Sequence, residues 1–398
     1  MRTAIARRTD FIGLPPEEQR FDKLKLNSRD VALLLDILAM KGYTLTTWNG
    51  KVLSPADYCS SIFTCGDVLE FETNGVERKL VAVWFCRKPV CPMCNQRRSL
   101  KQFATLMALK PQIQELYPNH RWAFLTLTQK NVPIGELRAT IQHMNDSWRR
   151  LVKIKGFPFE GWFKKIEVTR EWDCYNQGRL VQGIHGIKEI DRWERERDRK
   201  LELKPTEMVH PHLHVLGLVS SSYFNGDYYW SQKRWSEAWK AAGRYDYTPI
   251  VHITAVKAKK LPPSERIIGD APRQYDATDK AILETTKYLI KAEELSGKRC
   301  DDLEANAIFL GKFTEQMYAC RRLTAGGTLR KLDTALDTTE KDDNLLHITN
   351  EDKEPLIGDI EREVYRWMNE FERYSLHAKV SYSQSNEQTI ESNEISHF

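Results

Sequence analysis

The chain has 398 residues, a formal net charge of +5 and 41% hydrophobic residues, enough to form the cores of two or three domains. No apolar run reaches the length of a membrane span, and the first eight residues lack the apolar stretch of a signal peptide, so we expect a cytoplasmic protein with no membrane segment. Eight cysteines in such a chain favour metal binding over a disulfide framework.

The charge is unevenly distributed along the chain. Residues 331–398 hold 7 Lys and Arg against 16 Asp and Glu, a net charge of −9, so residues 1–330 carry +14. A basic body with an acidic tail is typical of proteins that bind a nucleic-acid backbone, although a solubilising surface can have the same composition. We predict an N-terminal region over 1–120, a central domain over 121–330, and an acidic, partly disordered C-terminal tail after that.

The N-terminal region is expected to be small and rich in cysteine. Residues 1–28 have the character of a loose leader, a short helix is predicted over 30–41, and an apolar strand over 80–85 leads into a Cys-x4-Cys-x2-Cys cluster. Four thiolates suit tetrahedral Zn²⁺ and close its coordination, so the ion would stabilise the fold; reduced cysteines without a metal are the alternative. The predicted ligands are Cys86, Cys91, Cys94 and a fourth cysteine, for which Cys65 is preferred to Cys59.

The central region alternates strands and amphipathic helices. Strands are predicted over 122–128, 161–170, 210–219 and 250–256, and helices over 135–153, 235–242 and 281–295. This order is that of an α+β, ferredoxin-like (split βαβ) antiparallel sheet with one added helix. A charged insertion over 171–209 separates the second and third strands, which would pair antiparallel. A further amphipathic helix is predicted over 360–376 in the tail.

Three histidines stand within five residues at the start of the third strand. Side chains two apart on a strand share a face, so His212 and His214 point the same way, with His210 just outside. Two imidazoles that converge from one strand can bind a metal ion. Glu167 on the neighbouring strand would add a carboxylate and leave positions open for water or substrate. Solvated or core side chains are the alternative.

The added helix carries a tyrosine among charged residues. Glu284, Tyr288 and Lys291 are spaced to share one helical face. A phenol close to a cation and a metal ionises more readily and can act as a nucleophile, while a carboxylate one turn away can act as a general base. Each of these residues alone would be ordinary on an amphipathic helix.

In this order, the motifs resemble those of rolling-circle plasmid replication initiators of the HUH endonuclease superfamily, in the class with one tyrosine and a neighbouring glutamate. Phe124–Asn131 is similar to the first motif of that family, His210–Leu216 to the metal-binding second, and Glu284–Lys291 to the catalytic third. The cysteine region from Cys65 to Cys94 is similar to one that these proteins carry upstream. The resemblance covers residues 65–329, and the charged insertion departs from the shorter family plan.

The resemblance implies a metal-dependent endonuclease that nicks a plasmid origin at an unpaired site. Tyr288 would attack the scissile phosphate and form a 5′-phosphotyrosine, and Glu284 would activate water at termination. Lys287 and Lys291 would neutralise phosphate or assist the phenolate. A host helicase and a DNA polymerase are the implied partners. The implied ligands of a catalytic Mg²⁺ or Mn²⁺ are His212, His214 and Glu167.

Three other functions stay open at this point. A tyrosine transposase or relaxase also uses paired histidines and a helix tyrosine, although the glutamate beside the tyrosine favours an initiator. An iron oxygenase uses two histidines and one carboxylate but has no use for Tyr288. A non-enzymatic zinc-knuckle protein would bind origin DNA equally strongly with and without His212, and it would not cleave DNA.

Overall fold

The computed structural model describes residues 12–182, 184, 186–225, 228–256, 276–287, 289–297, 300–333, 336, 356 and 358–383. They form a mixed α+β structure whose strands pair antiparallel. The helices are α1 (Arg20–Met40), α2 (Pro55–Thr64), α3 (Pro92–Leu116), α4 (Leu137–Leu151), α5 (Gly186–Arg197), α6 (Gln232–Gly243), α7 (Ala277–Thr286), α8 (Ala292–Ser296) and α9 (Leu303–Met317). The strands are β1 (Leu45–Thr46), β2 (Val52–Leu53), β3 (Val68–Thr73), β4 (Arg78–Val83), β5 (His120–Thr128), β6 (Val132–Pro133), β7 (Gly161–Asn176), β8 (Arg179–Val181), β9 (Glu202–Ser220), β10 (Val251–Ala255), β11 (Leu323–Gly327), β12 (Asp359–Met368) and β13 (Arg373–Ser383).

The central sheet carries the histidine strand in its interior. Its strands follow the order β10-β5-β9-β7-β11, while β6 pairs with β9 and β8 with β7. Successive side chains of a strand point to opposite faces, so β9 contributes to two buried layers. Leu213 and Val215 pack in the layer that contains residues of α4 and α6. Leu216 and Leu218 pack in the layer that contains residues of α3 and α7.

The charged insertion is built largely from extensions of the two central strands. β7 continues to Asn176 and β9 already begins at Glu202, so the two strands stay paired far beyond the sheet's other members. Between them, β8 and α5 complete an arm with a small core of its own. This core keeps the arm folded despite its polar composition, because it buries apolar side chains from both strands and from α5. Its buried residues are Trp172, Cys174, Ile184, Ile187, Ile190, Leu201, Leu203 and Cys300.

The prediction of a loose leader over 1–28 is wrong for its last part. Residues 20–28 form the first turns of α1, where Phe21, Lys25 and Ser28 are buried. These turns are ordered because they pack against the cysteine region. No helix in the described part of the chain combines the length and apolar character needed to cross a bilayer.

The predicted helix over 360–376 is also wrong, because this segment forms a hairpin of β12 and β13. The hairpin extends a four-stranded sheet in the order β13-β12-β3-β4, in which Tyr365 stands opposite Leu69. The ring of Tyr365 packs edge-on against Phe71 at 5.9 Å between centroids. Part of the acidic tail, which was predicted to be partly disordered, therefore belongs to the N-terminal sheet. The tail segments 337–355 and 384–398 lie outside the described residues.

The predicted helix over 281–295 is divided into two. α7 ends at Thr286, Lys287 has an extended backbone with ψ 167°, and α8 begins at Ala292. The backbone carbonyl of Leu289 accepts a 2.8 Å hydrogen bond from the amide of Val168 on β7, so the chain leaves the helix to run along the sheet. The expectation of one tyrosine-bearing helical face is therefore not met, and Tyr288 itself lies outside the described residues.

Candidate metal centres

Glu167, His212 and His214 meet on the sheet face covered by α3 and α7. The antiparallel register places Glu167 opposite His212. Oε2 of Glu167 lies 2.8 Å from Nε2 of His214 and 3.6 Å from Nε2 of His212. The three ligand atoms lie within 4.8 Å of one another. Two imidazole nitrogens and one carboxylate oxygen are a donor set that divalent metal ions accept, with positions left for water or substrate.

The two imidazoles are oriented by contacts on their far sides. Nδ1 of His212 lies 3.3 Å from the backbone carbonyl of His210, and Nδ1 of His214 lies 3.1 Å from the hydroxyl of Thr126. The ring of Phe124 stacks on His214 at 5.3 Å between centroids. Such contacts commonly fix the tautomer and direction of a metal-binding histidine. Sequence reasoning missed these roles of Thr126 and Phe124, although both lie in the stretch resembling the family's first motif.

The charge state of this site suits a divalent cation. Burial by itself would raise the pKa of Glu167, but the hydrogen bonds with His212 and His214 outweigh it and hold that pKa well below its usual range. Burial lowers the pKa of His214, and the contact with Glu167 opposes this only in part. An ionised carboxylate and a neutral imidazole are the forms that bind a metal ion.

The structure describes the residue after Tyr288 but not Tyr288 itself. Leu289 is tied to Val168, the residue after Glu167, by the 2.8 Å backbone hydrogen bond. The chain that follows Tyr288 therefore starts beside the strand that carries Glu167.

Two of the other predicted catalytic residues contact each other. Glu284, in the last turn of α7, forms an ion pair with Lys287. Burial lowers the pKa of His214, and the charge of Glu284 acts in the opposite direction. Lys291 instead caps the start of α8 and lies 3.5 Å from the buried carboxylate of Glu294.

The cysteine cluster forms a second group of possible metal ligands. The Sγ atoms of Cys65, Cys86, Cys91 and Cys94 lie within 4.8 Å of one another, with Cys94 3.7 Å from Cys65 and 3.6 Å from Cys86. Four sulfurs at about 2.3 Å from a tetrahedral Zn²⁺ would be about 3.8 Å apart, so this spacing fits the ion. Cys59, the other candidate for the fourth ligand, is not part of the cluster.

The local backbone is shaped to converge these sulfurs. Gly66 has φ +70°, a backbone conformation that residues with a Cβ adopt only under strain, so glycine is favoured next to Cys65. The backbone amide of Cys86 donates a 3.3 Å hydrogen bond to Sγ of Cys65. Burial and the neighbouring thiols raise the pKa of Cys94 well above its usual value. A bound cation would offset the cost of ionising four neighbouring thiols.

A buried lysine that sequence reasoning assigned to the leader holds the loop of Cys65. Lys25 has no exposed surface, and its Nζ donates to the backbone carbonyls of Phe63 and Cys65 at 2.7 and 2.8 Å. It also forms a 2.6 Å ion pair with Asp67. No sequence pattern would have distinguished this lysine from the others of α1.

One arginine joins the cysteine region to the central sheet. The guanidinium of Arg322 donates to the side chain of Asn95 at 2.5 Å and to the carbonyl of Pro89 at 3.1 Å. Its own backbone carbonyl accepts a 3.0 Å hydrogen bond from Ile166, next to Glu167 on β7. The two candidate metal centres are therefore connected through a short series of hydrogen bonds.

Comparison with known proteins agrees with a role in replication. Residues 77–375, about three quarters of the chain, match the family Rep_1, described as "Replication protein". The chain belongs to this family. The "Protein rep" of Streptococcus pneumoniae serotype 2 is 33% identical over 297 residues, which are 74% of this chain and 76% of the relative.

Two further relatives have similar coverage. The "Protein rep" of Lactiplantibacillus plantarum is 30% identical over 296 residues, 72% of this chain and 78% of the relative. The "Protein rep" of Bacillus amyloliquefaciens is 30% identical over 321 residues, 78% and 83% of the two chains. No solved structure matches. The family match includes Glu167, His212, His214 and three of the four clustered cysteines, and it supports the replication part of the resemblance found in the sequence.

Proposed function

We propose that this protein initiates rolling-circle replication of a plasmid by nicking one strand of the origin, as a metal-dependent endonuclease and strand transferase. The observation that carries the proposal is the convergence of Glu167, His212 and His214 beside the segment of Tyr288, in a member of the replication protein family. The strand order β10-β5-β9-β7 supports the ferredoxin-like plan and the assignment to the HUH superfamily.

The residues present fit a bound Mg²⁺ or Mn²⁺ at the histidines. Glu167, His212 and His214 would hold the ion, which when bound stabilises the negative charge that develops on the scissile phosphate. The contacts made by Thr126 and the carbonyl of His210 already orient both imidazoles towards Glu167. The ligands therefore need little rearrangement, and the rest of the coordination is free for phosphate oxygens and water.

Tyr288 is the proposed nucleophile. Its phenolic oxygen bonds to phosphorus as the bond from phosphorus to O3′ breaks, which leaves a 5′-phosphotyrosine and a 3′-oxygen that takes up a proton. The phenol's proton passes to water or a nearby base. Lys287 brings positive charge that favours the phenolate and neutralises phosphate, and Lys291 would contact the phosphate further along the segment. A host DNA polymerase would extend the 3′ end, after a helicase has separated the strands.

Glu284 is proposed to end the cycle. Its carboxylate would accept a proton from a water molecule that attacks the second phosphate, so that the final cleavage is hydrolytic and the protein is released. The ion pair with Lys287 holds this carboxylate in the last turn of α7. A transposase or relaxase would instead retain its covalent link. The family match gives no support to an iron oxygenase.

Two further parts of the proposal concern binding. The basic residues 1–330 would supply salt-dependent affinity for the DNA backbone. The four clustered cysteines would bind a structural Zn²⁺, and the cysteine region together with the β7–β9 arm is available for origin recognition.

The test uses single-stranded oligonucleotides that tile the origin of the plasmid encoding the protein, with Mn²⁺. Oligonucleotides labelled at the 3′ end should give a labelled protein on a denaturing gel, and those labelled at the 5′ end a shortened free strand. Tyr288→Phe should lose both products but still bind DNA, whereas Tyr228→Phe, at an exposed tyrosine, should retain them. An adduct with Tyr288→Phe, or none with the natural protein on any oligonucleotide, would refute the proposal.

A second variant tests the glutamate. Glu284→Ala should form the adduct at a normal rate but accumulate it, because the water for release is no longer activated. Normal multiple turnover by this variant would remove Glu284 from the mechanism. DNA binding without any cleavage, unchanged in His212→Ala, would instead indicate the non-enzymatic zinc-knuckle protein.

A further inference from the structure

A cavity of about 230 Å³ lies between α1, the start of α3 and the segment that follows Tyr288. Leu24, Ile290 and Leu295 contribute apolar walls, and the side-chain amides of Asn27 and Gln96 contribute polar groups. None of these side chains takes part in the mechanism above. The cavity nevertheless borders the catalytic segment, because Ile290 is two residues beyond Tyr288.

Asn27 is the residue that indicates a ligand. It is only 3% exposed, and it lines the cavity. Among the residues that the structure describes, neither its amide nor that of Gln96 has a hydrogen-bond partner. A buried amide left without partners is costly and rare in native proteins. A bound molecule that presents both a donor and an acceptor would satisfy it.

The dimensions and chemistry of the cavity suit a single nucleobase. An amide side chain pairs with a base edge through one donor and one acceptor, as Asn and Gln do with adenine. The volume is below the roughly 300–1,000 Å³ of sites for drug-sized ligands, which favours one flat base over a complete nucleotide. The walls of Leu24, Ile290 and Leu295 can cover the faces of the ring.

The charges at the rim favour a DNA strand over a free nucleotide. Three cations line the cavity, and each is paired with a carboxylate. The pairs are Arg20 with Glu18 at 3.4 Å, Lys23 with Glu293 at 2.6 Å and Lys291 with Glu294 at 3.5 Å. Because these cations are largely compensated, the rim suits the single negative charge of a phosphodiester better than the several charges of a triphosphate.

We propose that this cavity binds one unpaired base of the nicked strand and thereby selects the phosphate presented to Tyr288; the identity of the strand rests on the function proposed above. Leu289 is hydrogen-bonded to Val168, next to Glu167, and Ile290 follows directly as a wall of the cavity. A base held here therefore has a defined position relative to both the nucleophile's segment and the metal ligands. It would set the register of cleavage.

The experiment is an abasic scan of the origin oligonucleotide. Binding is measured by fluorescence anisotropy with Tyr288→Phe protein, which lacks the nucleophile, so that no cleavage occurs and no chelator is needed that would also remove zinc from the cysteine cluster. One position should exist at which removal of the base weakens binding about tenfold, as expected for one pair of hydrogen bonds to a base. Asn27→Leu, which keeps the size of the side chain, should weaken binding of the intact strand by the same factor as removal of the base. The same variant should not weaken binding of the abasic strand any further.

Two variants make the result secure. Gln96→Leu, at a half-exposed position, should show the same lack of additivity even if Asn27→Leu folds poorly, and Gln112→Leu, exposed on the same helix, should bind like its parent. Any of three results would overturn the proposal. One is a scan in which no abasic position weakens binding, and another is a variant and an abasic site whose effects add. The third is full competition by free deoxynucleoside monophosphates. A flat scan would leave nicking intact, whereas absence of nicking by the natural protein would refute the proposed function without changing this binding result.

Discussion

Lys25 is expected to hold the loop that supplies Cys65, so replacing it should loosen the cysteine cluster. Its Nζ contacts the carbonyls of Phe63 and Cys65 at 2.7 and 2.8 Å and the carboxylate of Asp67 at 2.6 Å. All three partners lie at the end of α2 or in the loop that follows it. The Lys25→Met variant keeps most of the side-chain length and removes both the charge and the donors.

The size of the effect follows from how deeply these contacts are buried. A buried carbonyl that loses its donor costs about 1–3 kcal/mol. The hydrogen bond to Cys65 is buried and that to Phe63 is part-buried, so the two together account for about 2–6 kcal/mol, with the smaller share from Phe63. Asp67 is 44% exposed, and water can solvate it, so its loss adds little. We expect the free energy of unfolding to fall by about 3 kcal/mol, near the lower half of that range. Zinc should dissociate faster, because the loop carrying one ligand moves more freely.

Both effects can be measured on the same preparation. Zinc release is followed with a chromogenic chelator, and unfolding in urea by tryptophan fluorescence at a fixed zinc concentration. Lys23→Met is the matched control, because Lys23 is on the same helix, is 71% exposed and forms an ion pair of the weak surface kind. If the two variants release zinc and unfold alike, the contacts of Lys25 do not hold the cluster.

Three further predictions concern single side chains. Thr126→Val removes the hydroxyl that orients an imidazole and should weaken Mn²⁺ binding by roughly 10–100-fold in titration calorimetry, whereas Thr128→Val should not. In Tyr374→Phe, the carbonyl of the glycine beside the cysteine cluster loses its hydrogen-bond donor, so the free energy of unfolding in urea should fall by about 1–3 kcal/mol. An equal effect of Tyr228→Phe, at a tyrosine that is 75% exposed, would contradict this. Burial lowers the pKa of Lys164 from 10.5 to about 8, so between these values the unfolded chain binds a proton that the folded chain does not, and stability should rise with pH by about 3 kcal/mol. Urea titrations across that range should show no such rise in Lys164→Met, and an equal rise would refute the assignment.

The grouping of the candidate metal ligands could be anticipated because it depends on short-range rules. Alternation along β9 puts His212 and His214 on one face, and antiparallel pairing of adjacent strands puts Glu167 opposite. The choice between Cys65 and Cys59 could not be made from spacing alone. It depends on long-range backbone contacts: the amide of Gly66 donates a 2.8 Å hydrogen bond to the carbonyl of Trp84, and the amide of Cys86 donates one to Sγ of Cys65.

The segment around Tyr288 departs from prediction because a tertiary contact overrides a local pattern. The spacing of Glu284, Tyr288 and Lys291 is helical, and a continuous helix would pair the backbone groups in the interior of the segment. The amide of Val168 on β7 competes for the carbonyl of Leu289, and the helix ends at Thr286 instead. No periodicity within the segment reveals a partner more than a hundred residues away.

The tail fails prediction for a related reason. A spacing of apolar residues compatible with a helix becomes a strand when β3 offers an open edge, as the pairing of Tyr365 with Leu69 shows. A bulge at His377 of β13, where Val364 pairs with Ala378 and Tyr365 with Leu376, shifts the alternation of side chains along that strand and hides its pattern in the sequence. The edge itself is supplied by residues almost three hundred positions earlier.

These long-range contacts give the cysteine region a consequence for the proposed chemistry. Arg322 binds the carbonyl of Pro89 between two of the clustered cysteines, and its own carbonyl holds Ile166 on β7. Ile166 precedes Glu167, so a displacement of the cysteine loop reaches the carboxylate through one side chain and one backbone hydrogen bond. Loss of the clustered thiolates should therefore weaken the metal site at the histidines as well as the fold. That effect should be smaller than the loss of Glu167 itself, because β9 still holds the two imidazoles in place.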